Sequence, residues 1–87
     1  MVRVVYHASH EQFAPSALLD LVGLAGAAGF DGAKCSNHFR PWRPGGQSGH
    51  AWPWLGAALA RTAFPLGAIS APGYRYHPAV LAQGAAT

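Results

Sequence analysis

Apolar, β-branched segments start near residues 2, 32 and 66, a spacing of about 30 and then about 34 residues, and each is followed by a polar loop and a helical period. Strand, loop and helix at that interval is the pattern of parallel β/α crossovers, because a parallel partner is reached only through a long connection. The spacing predicts strands at Val2–Tyr6, Gly32–Ser36 and Leu66–Ser70. The first helix opens at Pro15, runs through Leu18, Leu21, Val22 and Ala25, and stops at Gly29, where a left-handed residue is wanted, with Phe30 as the apolar partner of that cap. A second begins at His50 with Pro53 in its first turn and Trp54, Leu55, Ala58, Leu59 and Thr62 at helical spacing; Pro65 ends it. Pro78 opens a third over Ala79–Ala86. The two long connections are Asn37–Gly49 and Ala71–His77.

Two architectures use this unit. A dinucleotide-binding doubly wound sheet needs a glycine-rich turn after its first strand, but that turn here is His7-Ala8-Ser9-His10-Glu11-Gln12, without glycine. An eight-fold β/α barrel has no such requirement, and ~250 residues divided among eight units gives the same repeat. The chain is therefore read as α/β, about three βα units from the amino-terminal part of a TIM (β/α)8 barrel. Residues 1–87 form one partial barrel domain on this reading, incomplete at the carboxyl end. Composition agrees: 10% charged residues is below the ~25% of ordinary soluble domains, as suits strands buried on both faces.

The same composition excludes several classes. A net charge of +3 comes from six scattered cations, of which only Arg40 and Arg43 are neighbours, so a phosphate-tracking nucleic-acid surface is not expected. The single cysteine, Cys35, allows neither an internal disulfide nor a multi-cysteine zinc site. Met1–Tyr6 lacks a secretory signal's apolar stretch, and Asp20 and Arg61 interrupt the longest apolar runs, so a cytoplasmic chain without a membrane partner is expected.

Barrel enzymes carry their reactive groups at the carboxyl ends of the strands. That rim collects His7, His10 and Glu11, then Ser36, Asn37, His38 and Trp42, then Ser70, Tyr74, Arg75, Tyr76 and His77, with His50 opening a helix from the same side. His7 and His38, directly after strands, are the stronger candidates; His10, His50 and His77 divide evenly between function and ordinary loop polarity. A metal hydrolase would need more than one rim carboxylate, and Glu11 stands alone. Cys35 sits within a strand pattern, where a thiol is ordinarily an apolar filler. A planar cofactor needs small residues for close approach, an aromatic wall and a hydrogen-bond donor, which Gly67, Ala68, Phe39, Trp42 and His38 supply. Trp52 and Trp54 are assigned to helix packing, Arg40 and Arg43 to a phosphate or to solvent, and Gly45-Gly46 to a lid or a plain turn.

The segment Ser36-Asn37-His38-Phe39-Arg40-Pro41-Trp42 resembles the Ser-Asp-His-Phe-x-Pro-Trp motif of luciferase-like flavin- and deazaflavin-dependent oxidoreductases. Tyr6–Pro15, Gly29-Phe30-Asp31, Trp54–Ala58 and Tyr76–Gln83 agree in order, so the likeness spans essentially the whole chain. It is nearest the branch containing deazaflavin-dependent glucose-6-phosphate dehydrogenase and, within it, a flavinoid oxidoreductase subgroup read as using FMN. The resemblance implies flavin- or deazaflavin-dependent hydride transfer on a small organic substrate, dehydrogenase or monooxygenase, by a homodimeric parent protein without a metal. It implies His38 as general base, Trp42 beside the substrate and Glu11 as an acidic group at the pocket edge, the three catalytic candidates. FMN or a deazaflavin would be held by Asn37, His38, Ala68, Ile69 and Ser70, with a bulge and a nonprolyl cis peptide within Ala68–Ser70. Asn37 stands where the family usually has Asp, an amide in place of a charge. The alternative reading is a non-catalytic remnant or interaction fragment that binds no cofactor.

Overall fold

The computed structural model describes residues 1–71 and 75–87. Strands and helices alternate as β1 (Val5–Ala8), α1 (Pro15–Ala27), β2 (Gly32–Asn37), α2 (Ala51–Arg61), β3 (Leu66–Ser70) and α3 (Pro78–Ala86). The strands lie in one parallel sheet, ordered β1-β2-β3.

Period-two alternation divides the sheet into two unlike faces. Ala8, Ala33 and Cys35 pack with Leu18 and Val22 of α1 and Ala51, Trp54, Leu55 and Ala58 of α2, and Tyr6, Leu66 and Ala68 close the edges of that core. The small strand residues let both helices settle close to the sheet. On the opposite face Val5, His7, Lys34 and Ile69 are exposed. That second face is the one a β/α barrel turns inward, so the three units are an arc of such a barrel.

Two local devices fix the entry to β2. The N–H groups of Gly29 and Phe30 bond to the carbonyls of Gly26 and Ala25 at 3.2 and 3.1 Å, and Gly29 takes φ +94°. This is the paired-bond helix terminus expected from the sequence. Phe30 then meets the ring of Tyr6 edge-on at 6.0 Å. Asp31 next grips the start of β1: its carboxylate accepts the Val4 N–H at 2.6 Å and its own N–H donates to the Val4 carbonyl at 2.8 Å.

That grip corrects the first strand, expected at Val2–Tyr6 but observed at Val5–Ala8. Pairing begins at Val5↔Gly32, because the chain before Gly32 is still completing the helix turn. His7 is thus inside β1. β2 likewise extends one residue past expectation, to Asn37, where it pairs with Ser70. The cis peptide and bulge expected within Ala68–Ser70 are absent: among the described residues no peptide bond is cis, and the ladder runs in unbroken register from Leu66 to Ser70. With no extra residue in β3, the ladder has nothing to bulge. The remaining boundaries match, including Pro78 in the first turn of α3.

Gly32 is held by close packing. A Cβ there would lie 2.7 Å from the Pro65 carbonyl oxygen, which itself accepts the Ala33 N–H at 3.0 Å. Gly67, in β3, has nothing within 4 Å of such a Cβ. Urea unfolding followed by tryptophan fluorescence should therefore show Gly32→Ala destabilised by about 1–3 kcal/mol and Gly67→Ala within about 0.5 kcal/mol of the parent. Leu18→Ala, emptying a fully buried position, should cost about 2–5 kcal/mol in the same measurement.

Candidate active site

Beyond the carboxyl ends of β1 and β2 the chain turns over a cleft of about 940 Å³, lined among others by His7, Glu11, Asn37, His38, Trp42 and Ile69. The turn after β1 is closed by the N–H groups of Gln12 and Phe13 on the Ser9 carbonyl, both at 3.2 Å, which brings Glu11 back over the strand ends. His38 follows β2 directly, and its Nε2 lies 2.5 Å from Glu11 Oε1. The other carboxylate oxygen, Oε2, accepts the hydroxyl protons of Ser9 and Ser36, each at 2.8 Å. Burial pushes the Glu11 carboxyl up, but the two hydroxyls, a backbone N–H and the nearby His38 outweigh it and hold the group below the usual carboxylate range. Trp42 presents its ring obliquely to the His38 imidazole at 4.6 Å.

The three catalytic candidates, Glu11, His38 and Trp42, are thus brought together from two loops. The cofactor-binding candidates divide. Asn37 is buried, and its Nδ2 donates to Ser70 Oγ at 3.1 Å, while its Oδ1 is buried without a hydrogen-bond partner among the described residues. Ile69 is exposed and lines the cleft. Ala68 does not reach it: strand alternation turns its side chain to the helix-side core.

The remaining histidines separate by burial. His7 lines the cleft from β1. His10 is 1% exposed, stacked edge-on against Trp54 at 5.0 Å, and belongs to the packing. Its burial pulls its pKa below the ordinary value, with Glu11 acting against that and His50 reinforcing it. His50 and His77 cap helices, their Nδ1 atoms accepting the N–H groups of Trp52 at 3.4 Å and Ala79 at 3.1 Å. Trp54 donates Nε1–H to the Pro15 carbonyl at 3.0 Å, as helix packing requires. Tyr74, placed on the rim by the sequence, lies outside the described residues.

Two groups carry more than the sequence assigned them. Ser9 is a ligand of the Glu11 carboxylate, and its signal was the Ser-x-Glu spacing just past the true end of β1. Arg75 donates to the Asn37 carbonyl at 3.3 Å and lies over the Phe39 and Tyr76 rings at 5.7 and 5.2 Å, joining the ends of β2 and β3 across the cleft.

Parallel β/α units whose polar groups converge beyond the strand ends define the mouth of a β/α-barrel protein. The chain belongs to the luciferase-like monooxygenase family, whose model matches residues 2–87. It is 50% identical to an F420-dependent glucose-6-phosphate dehydrogenase of Beutenbergia cavernae, over 100% of this chain and 27% of that protein. The corresponding protein of Nakamurella multipartita is 48% identical over 99% of this chain and 26% of its own length. A solved F420-dependent secondary alcohol dehydrogenase in complex with an F420-acetone adduct superposes with a TM-score of 0.89 at 39% identity, over 94% of this chain and 26% of that one. The chain spans about a quarter of the length of these relatives.

Two consequences are measurable. A neutral His10 and an ionised Glu11 both have folded pKa values below their unfolded ones, 6.5 and 4.5, so the unfolded chain binds protons first and stability falls with pH. Urea midpoints should decline in two stages, one below about pH 6.5 and one below about pH 4.5; Glu11→Gln should remove the second and deepen the first, because the Glu11 charge opposes the His10 shift. Burial pushes the Cys35 thiol up to about 11, so iodoacetamide at pH 8 should spare it in the folded chain and alkylate it at once in urea.

Proposed function

We propose that the cleft is the amino-terminal part of the active site of a deazaflavin-dependent oxidoreductase, a dehydrogenase acting on the hydroxyl group of a small organic substrate. The observation that carries this reading is the His38 Nε2–Glu11 Oε1 contact at the mouth of a cleft that also holds an unpartnered buried acceptor, Asn37 Oδ1.

That orphaned oxygen fits a planar ring system bearing an N–H, and Ile69 offers an apolar surface beside it. Asn37 and Ile69 would hold the ring, Ser70 would hold the Asn37 amide in place, and His38 would lie alongside. The bound deazaflavin would supply hydride acceptance. With its Nε2–H directed at the ionised Glu11, His38 keeps a lone pair on Nδ1, which takes the substrate hydroxyl proton. The carboxylate steadies the imidazolium that results. Trp42, against the imidazole, walls the substrate side and excludes water. Residues 1–87 act as one partial barrel domain, and the whole protein is read as a cytoplasmic homodimer.

His38→Ala in the active protein should lower turnover by roughly 10²–10⁴-fold with cofactor binding retained; unchanged turnover with cofactor bound would remove His38 from the chemistry. Absorbance titration with F420 and with FMN checks the cofactor. Tighter FMN binding with consumption of dioxygen would replace the dehydrogenase by a flavin monooxygenase.

A further inference from the structure

Glu11 sits on a turn, where a carboxylate could rotate freely among several orientations. It does not, because two hydroxyls from different segments converge on the same oxygen. The pairing Ala8↔Cys35 places Ser9 and Ser36 next to each other, one residue beyond each partner. Both are buried, at 7% and 6% exposure, and both lie 2.8 Å from Oε2. Ser36 has no freedom in this. Its Oγ accepts the His10 N–H at 3.0 Å, so its single proton is left to point at the carboxylate. Oε1 receives neither hydroxyl and is the oxygen presented to His38.

We propose that Ser9 and Ser36 are positioning residues: a two-hydroxyl clamp that fixes the Glu11 carboxylate by Oε2 and thereby aims Oε1 at Nε2 of His38. The inference rests on the reading of His38 as the proton acceptor. Hydroxyl protons bond strongly to an ionised carboxylate, so the clamp also selects the charged form that an imidazolium needs beside it. The other charged or titratable groups around the pair are His7 of β1, Arg43 after β2 and Arg75 beyond β3, which line the same cleft. Lys34 lies two residues before Ser36 in β2, and His10 adjoins Glu11 in the chain.

In the protein labelled with glutamate carrying 13C at the carboxyl, the resonance that Glu11→Gln removes is that of Glu11, and its pH titration reads the clamp without cofactor. The wild-type midpoint should lie below 4.5, the ordinary value. Ser9→Ala with Ser36→Ala should raise it by about one unit or more, and the His38 Nε2–H signal in 15N spectra should broaden as exchange with water speeds up. Ser9→Ala alone leaves the Ser36–His10 bond intact and should raise the midpoint by a smaller, resolved amount; Ser36→Thr, which keeps the hydroxyl, should stay near the parent. A midpoint unmoved by Ser9→Ala, with the fold verified by circular dichroism, overturns the clamp. That failure differs from failure of the His38 reading, which is scored by turnover of His38→Ala.

Discussion

The parallel pairing of β1 with β2 is the constraint on which the rest depends. Its register, Val5↔Gly32 through Ala8↔Cys35, is set by Asp31 gripping Val4 from both its carboxylate and its backbone. From that register two things follow at once. Ala8, Ala33 and Cys35 fall on the face that α1 and α2 cover, and Ser9 and Ser36 fall together at the strand ends. A slip of one residue would turn the small apolar residues to the open face and separate the hydroxyls from Glu11.

The polar groups around the cleft illustrate how burial and pairing sort similar side chains into different roles. Glu11 is only slightly exposed but remains ionised, because hydrogen bonds to its charged form more than offset desolvation. Its sequence neighbour His10 is more deeply buried, has no hydrogen bond at either ring nitrogen among the described residues and stays neutral against the Trp54 ring. One residue of separation on a tight turn sends one group to the cleft and the other to the core. That division lets a charged site sit directly on an apolar helix-sheet interface without leaving an unpaired charge inside.

Much of this was legible along the chain because its signals are local. Pro15, Gly29, Pro65 and Pro78 act through their own backbone restrictions, and each falls at an element boundary where those restrictions are satisfied. The motif from Ser36 to Trp42 marked His38 and Trp42 before any geometry was known. Residue order is a poor guide where the deciding partner is distant. The first strand was expected too early because nothing in Val2–Tyr6 reveals that Asp31 sets where pairing starts. Ala68 was assigned to the cleft because one residue's parity on a strand is fixed only by its neighbours in the sheet. Residue order does not decide the role of His10 because its burial comes from Trp54 and Gly49, far along the chain.

By itself, then, the amino-acid sequence determined the alternation of strands and helices, the barrel class and the polar residues that gather at the strand ends, since these follow from periodicity, backbone restriction and side-chain type. Only the tertiary structure decided which oxygen of Glu11 meets His38, that two serines hold the other, and that Asn37 keeps a buried acceptor unpaired. Those facts depend on strand register and on distances of a few ångströms between residues some 25 positions apart. Hydrogen bonding is too short-ranged and too directional to be read from residue order alone.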